Sequence, residues 1–526
     1  MKSNAKWRLF LFSFFVLCCG TTMNAYSQTP VSKKIILQDF LFEKPATPFP
    51  VEGKFIYKSA TELSQMIRTH KATSVEITTE FINHIKNNNY KYNAIIYLRE
   101  EDALAEAKAI DEAIARGEVS DKPLLGVPVT IKENWWVKGS PSTLNAKMYP
   151  LVAARDAAIV TKIKNSGAIV LGTTNVPYML GSFQTQGEIY PTASNPFDTT
   201  RTPGGSTGGG AAAQAAGFST ISLGGDLGGS IRVPSAFCGL WSLKPTYGSV
   251  ESLDGSRPDT SYTPERLYLV SAGPLARTPN DLQLMWNVIK NQDTHIATNK
   301  KIKDYRFAWI DEWTIGADKV EIGGETKEQL NTFIALLNKQ KASTEKNAPD
   351  MYLDLVKLFL RSFGYILGEK KPVFVRKYIA NQFYPSDDST NLMYNLKKAV
   401  LDVADEGWEG TQQDRKTLTA KWEEFFKQYD FFVSPVSYGP AFKKCKPDEP
   451  IKTDEGKTMR EFNYVPYAYI INATGHPAIT VPAGYNKQGL PIGIQIVGKY
   501  NSDEELLHLA KLLEPLVAKF KKPSTL

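Results

Sequence analysis

The chain has 526 residues, 42% hydrophobic and 22% charged, with a formal charge of +7. Its length calls for two domains or one large sheet-centred domain, and no long block of one charge sign marks a disordered segment away from the two ends. The charge balance is too mild and too scattered for a nucleic-acid-binding surface.

Lys2, Lys6 and Arg8 precede the apolar run LFLFSFFVLCC, and small residues follow at Ala25 and Ser27. This is the pattern of a secretory signal peptide over residues 1–27 and predicts a periplasmic or secreted protein. The run falls short of the about 20 apolar residues that a membrane helix needs. An uncleaved anchor and lipidation at Cys19 stay open, and with them a peripheral association with membrane. Removing residues 1–27 takes away three basic residues and no acidic ones, so the formal charge falls from +7 to +4. Cys238 and Cys445 then remain, enough for one disulfide but not for a cysteine framework. Two buried or idle thiols are the plainer reading, and their redox state stays open.

Residues 28–58 read as an extended, irregular arm. Ser59-Ala-Thr-Glu62 and Thr73-Ser-Val-Glu76 are capping boxes, each opening an amphipathic helix. A third helix runs from about Asp102 to Arg116 and stops at Gly117. LLGVPVTIK, residues 124–132, is apolar and partly β-branched, which predicts a buried strand ending in a lysine. A helix from Asp156 to Asn165, a stop near Gly167 and the strand AIVLG follow. Helix and apolar strand in repeated succession predict an α/β fold with helices on both faces of the sheet.

The region from about 300 to 430 is rich in Lys, Glu and aromatic residues and reads as mostly helical. Its segment DMYLDLVKLFLRSFGYILG, residues 350–368, is apolar around much of its circumference. It is either a packing helix or the wall of an apolar substrate site or membrane-facing cap. HPAITVPAGY and LPIGIQIVG then form a strand pair, and a last helix opens at Ser502 with Glu505 completing a capping box.

The stretch from Pro203 to Ser230, PGGSTGGGAAAQAAGFSTISLGGDLGGS, holds ten glycines and five alanines. A phosphate loop needs a lysine directly after its second glycine, and no lysine occurs between Arg201 and Ser230. The dinucleotide pattern fails too, since Gly208 and Gly210 lead to Ala213. The five histidines, at 70, 84, 295, 476 and 508, have no metal-ligand spacing, and His476 reads as structural. No metal and no cofactor are expected. What remains is a serine nucleophile, which needs a base, a proton path and donors for an oxyanion. Ser230 ends GGDLGG, where small residues let successive N–H groups converge on one point.

GGSTGGGAAAQAAG followed by LGGDLGGSIRVPSAFCGLWSLKPTYG resembles the signature of the amidase signature family. GVPVTIKEN resembles that family's lysine segment, and INATGHPAITVPAGY its C-terminal strand region. The resemblance runs in order from about residue 59 to 515. It implies one amidase domain over 59–522, with a signature core at about 120–250 and a variable helical region at about 300–430. Its fold would be a large, mixed, twisted β-sheet with helices on both faces. It implies a Ser-cisSer-Lys triad: Ser230 as nucleophile, Ser206 as bridging serine on a cis Gly205–Ser206 peptide, and Lys132 as base. The oxyanion donors would be the N–H groups of Leu227, Gly228, Gly229 and Ser230, with Asp226 and Arg232 in support. An ion pair serving the fold alone accounts for those last two equally well. Leu227 stands where Thr or Ile is commoner and Thr207 where a second serine is usual; neither removes a catalytic atom. Burial suits the lysine role, since a free lysine titrates near 10.4 and an apolar surround lowers that value.

The implied reaction is hydrolysis of a small-molecule carboxylic amide to carboxylate and amine or ammonia. The apolar 350–380 segment points toward a fatty-acid or other hydrophobic acyl amide. A glutamine-hydrolysing component of an amidotransferase is an alternative that an export signal argues against, and an inactive binding or scaffold homologue is a second. A homodimer stays open.

Overall fold

The structure, a computed structural model, describes residues 42–118, 121–147, 151–250, 269–290, 299–315, 318–368, 392–446 and 449–525. The signal segment and Cys19 therefore lie outside the described residues, as does the first part of the 28–58 arm. Residues 42–58 carry neither helix nor strand.

The first two helices, Ala60–Arg68 and Ser74–Tyr92, open as their sequences predict. Ser59 and Thr73 each accept the N–H three residues on, and Glu62 and Glu76 each answer at the cap backbone. The third runs over Glu100–Ala115, two residues earlier than expected. The box at Ser502 does not form: its hydroxyl donates to Lys499 O (2.8 Å) and Glu505 pairs with Lys300. Ser502 has φ −95° and ψ 27°, not the extended backbone that aims a cap side chain forward.

Eleven strands form one sheet: β1 Ile95–Leu98, β2 Pro128–Lys132, β3 Ile169–Thr174, β4 Ile221–Asp226, β5 Trp241–Lys244, β6 Ser271–Ala276, β7 Arg306–Trp309, β8 Ser343–Lys346, β9 Phe431–Pro435, β10 Ala478–Tyr485 and β11 Pro491–Gly498. Their spatial order is β1-β3-β2-β4-β6-β5-β10-β11-β9-β7-β8. β2 is parallel to β3 and β4, and β7 to β8 and β9; the remaining pairs are antiparallel. The sheet is mixed and α/β, as expected. The expected 124–132 strand is shorter because Gly126, at φ +67°, turns the chain just before it. The β10–β11 hairpin matches its sequence reading.

Side chains alternate across a strand, and β2 and β4 use that alternation to separate core from chemistry. Val129, Ile131, Ile221 and Leu223 join one large apolar cluster with the helices Pro279–Ile289, Gly324–Lys339 and Asp503–Leu513. Thr130, Lys132, Ser222 and Asp226 take the other parity. There the small-residue helix Gly208–Ala215 lies wholly buried. The 350–368 segment is helical over Tyr352–Gly368, and Leu355, Val356, Leu358, Phe359 and Leu360 are core residues. Among the described residues no helix is long and apolar enough to cross a membrane.

Candidate active site

Because β2 and β4 are parallel neighbours, their carboxyl ends lie at the same edge of the sheet. Open α/β sheets place ligands at that edge. β2 ends on Lys132, and the chain leaving β4 at Asp226 turns into Leu227-Gly228-Gly229-Ser230.

Lys132 is 1% exposed. Its Nζ donates to Gly225 O (3.0 Å) and lies 2.8 Å from Ser206 Oγ. Burial lowers its pKa to about 7, against the opposing pull of the Asp226 and Glu133 carboxylates. Charged, this amine donates to the Ser206 hydroxyl; neutral, it offers that hydroxyl a lone pair. The Gly205–Ser206 peptide is cis. A Cβ on Gly205 would lie 2.4 Å from Ser182 O, so the close approach of that strand of backbone requires glycine. Thr207 N donates to Ser230 O (3.1 Å), which joins the segment after Ser206 to Ser230. Ser206 and Ser230 are both buried.

Asp226 organises the loop. It accepts from Gly229 N (2.8 Å), Ile231 N (3.0 Å) and Asn472 Nδ2 (2.9 Å), and it pairs with Arg232 at 3.1 Å, both side chains fully buried. Burial pushes its carboxyl up, but the Arg232 guanidinium outweighs burial and holds it below the usual carboxylate range. Arg232 in turn donates to Gln495 Oε1 (2.6 Å) and Asn472 Oδ1 (2.5 Å). The N–H of Gly229 thus points inward to Asp226, which leaves those of Leu227, Gly228 and Ser230 without an acceptor among the described residues. Gly229, at φ +111°, takes a conformation that suits glycine.

Three polar groups of this region carry no clear sequence signal. Glu133 is fully buried and accepts from Thr143 Oγ1 (2.9 Å), Leu144 N (3.0 Å) and Tyr190 OH (3.1 Å); burial pushes its carboxyl up. Asn472 and Gln495 reach Arg232 across 240 and 263 residues of sequence. His476 is engaged as a structural residue, with Nδ1 at 2.9 Å from Thr474 Oγ1 and Nε2 at 3.3 Å from Glu423 Oε1. Cys238 and Cys445 are free thiols, the first buried.

The site thus joins a hydroxyl to a buried amine whose pKa burial lowers to about 7, beside a loop that offers unanswered N–H groups and a second serine. The family model described as Amidase matches residues 76–507. A glutamyl-tRNA(Gln) amidotransferase component of Marinobacter nauticus is 30% identical over 489 residues, covering 86% of this chain and 96% of its own length. A solved 6-aminohexanoate cyclic dimer hydrolase with bound substrate superposes with a TM-score of 0.71 at 22% identity, over 89% of this chain and 99% of its own. A fatty acid amide hydrolase gives 0.72 at 20% identity, over 90% and 87%. At such identities the two structures speak for the fold.

Proposed function

The chain belongs to the amidase family of C–N amide hydrolases, and on that premise we propose that it works through an acyl-enzyme on Ser230. The observation that carries the proposal is the 2.8 Å approach of a fully buried lysine to the hydroxyl of Ser206. Ser230 Oγ attacks the amide carbonyl carbon, and its proton passes to Ser206 as the Ser206 proton passes to neutral Lys132. The carbonyl oxygen becomes an oxyanion facing the N–H groups of Leu227, Gly228 and Ser230. Proton return through Ser206 to the nitrogen breaks the C–N bond and releases amine or ammonia. Water then attacks the ester by the same route and frees the carboxylate and Ser230. Asp226 and Arg232 act as positioning residues that hold the loop.

For the amide itself two readings have support. The apolar helix Tyr352–Gly368 favours a hydrophobic acyl amide. The near-complete coverage of glutamyl-tRNA(Gln) amidotransferase components favours glutamine, with partner chains. The basic, apolar N-terminus supports export, which mass spectrometry of the mature N-terminus checks: an intact Met1 in the purified native protein would refute cleavage. Peripheral membrane association goes with the exported reading.

The test is reaction of the purified chain with a fluorophosphonate, followed by peptide mapping. The adduct is expected on Ser230 and absent from Ser230→Ala. An adduct on another serine, or none under conditions that label a known family member, would overturn the assignment.

A further inference from the structure

One glycine of the nucleophile loop lies directly against an aromatic side chain. A Cβ on Gly228 would sit 3.0 Å from Phe359 Cζ and 3.4 Å from Tyr469 Cβ; one on Gly229 would meet Ala468 Cβ at 2.6 Å and Val233 Cγ2 at 3.2 Å, with Phe183 Cε1 beyond them at 3.7 Å. Between those points runs an unbroken arc of rings. Phe183 meets Phe462 at 5.5 Å between centroids, Phe462 meets Tyr469 at 5.7 Å, Tyr469 meets Phe359 at 5.0 Å, and Phe359 stacks on Phe363 at 5.8 Å with planes 11° apart. The first of these contacts is edge-on, the last is stacked and the two between are tilted, all within the centroid range in which aromatic rings attract one another. Leu227 packs on the same cluster, and Phe363 and Phe462 keep part of their surface exposed.

Three charged side chains near this arc already have partners. On the Tyr352–Gly368 helix, Asp354 pairs with Lys421 and Arg361 with Asp414. Glu461, which precedes Phe462, accepts from Ser182 Oγ (2.9 Å) and Phe183 N (3.0 Å). Glutamine would bring an ammonium and a carboxylate to this loop, and a charge loses its hydration at high cost unless a partner meets it. The arc itself offers no charge, only a wall of rings and one leucine.

We infer that this arc reads the group flanking the scissile carbonyl and selects an uncharged aromatic or apolar one, with Phe359 as the specificity-determining side chain. The inference rests on the amide-hydrolase reading and names the substrate class for the same site. Of the two substrates named there, it favours the hydrophobic acyl amide over glutamine.

The experiment uses the full chain and follows ammonia release from phenylacetamide, hexanamide, acetamide and L-glutamine, with fluorophosphonate labelling of Ser230 alongside. The expected kcat/KM for phenylacetamide exceeds that for L-glutamine by about 100-fold or more, in the range that a shaped apolar pocket yields. Phe359→Ala is expected to lower kcat/KM for phenylacetamide about tenfold more than for acetamide, chiefly through KM. Phe359→Leu, which keeps apolar packing on Gly228, is expected to shift preference from phenylacetamide to hexanamide and serves if the alanine variant fails to fold. Glutamine cleaved as well as phenylacetamide overturns the inference, as does an equal fall on every amide in both variants. A labelled Ser230 with none of the four amides cleaved overturns it while leaving the serine hydrolase standing. An unlabelled, inactive chain overturns both.

Discussion

Lys132 and Lys244 occupy nearly the same circumstance. Each ends a strand of the one sheet, β2 and β5, and each is 1% exposed. Burial brings each down to about 7, and Asp226 pulls each partway back. They differ in what their nitrogens meet. Lys132 faces the hydroxyl of Ser206, whereas Lys244 donates to the carbonyl of Pro245 at 2.7 Å. A carbonyl accepts a hydrogen bond but has no proton to give. Burial therefore prepares an amine, and on the proposed mechanism a neighbouring hydroxyl makes it a base.

Five substitutions test that contrast, from the largest expected effect downward. Ser230→Ala is expected to lower amide turnover by about 10⁴-fold or more, the scale on which nucleophile removal acts. Circular dichroism and melting temperature should stay near wild type, which separates lost chemistry from lost fold. Lys132→Met is expected to cost about 10²–10⁴-fold in kcat, the usual share of a general base. Ser206→Ala should follow it closely, since the same proton path is cut. A wild-type rate for either variant would remove the proton path from the mechanism.

Asp226→Asn acts at the ground between the two lysines. It leaves Arg232 as a fully buried charge without its ion-pair partner, and breaking such a pair costs about 3–5 kcal/mol. Urea unfolding should show that loss, with turnover falling as the Gly229 and Ile231 N–H groups lose their anchor. Unchanged stability would show that Asn472 and Gln495 suffice to hold Arg232. Lys244→Met is expected to change turnover by less than about tenfold. A loss as large as that of Lys132→Met would erase the distinction.

The two lysines also mark what a sequence can disclose. GGST and GGDLGGS are local devices, since a glycine-rich loop and the serine it carries are adjacent in the chain. GVPVTIK announced a buried strand ending in lysine, and β2 is that strand. WSLK carries the same local signature for Lys244, and nothing in either run tells the proposed base from a bystander. The deciding contact is with Ser206, 74 residues from Lys132. The grip of Asn472 and Gln495 on Arg232, and the arc from Phe183 to Phe363, likewise arise only once distant elements pack. The failed box at Ser502 has the opposite cause: the motif is present, but the turn before the helix took its hydroxyl. The sheet order alone shows that β2 and β4 lie side by side and end at the same edge.

On the proposed mechanism, Lys132 is the group whose loss of a proton arms Ser230. A buried amine with a pKa lowered to about 7 is mostly charged below that pH and mostly neutral above it. The most direct measurement is the rate of Ser230 acylation by a fluorophosphonate from pH 5 to 9, in the wild type, Lys132→Met and Lys244→Met. The rate is expected to rise through about pH 7 and level off in the wild type, to keep that shape in Lys244→Met, and to lose the step in Lys132→Met. A step that survives in Lys132→Met, or one that disappears in Lys244→Met instead, would contradict that role.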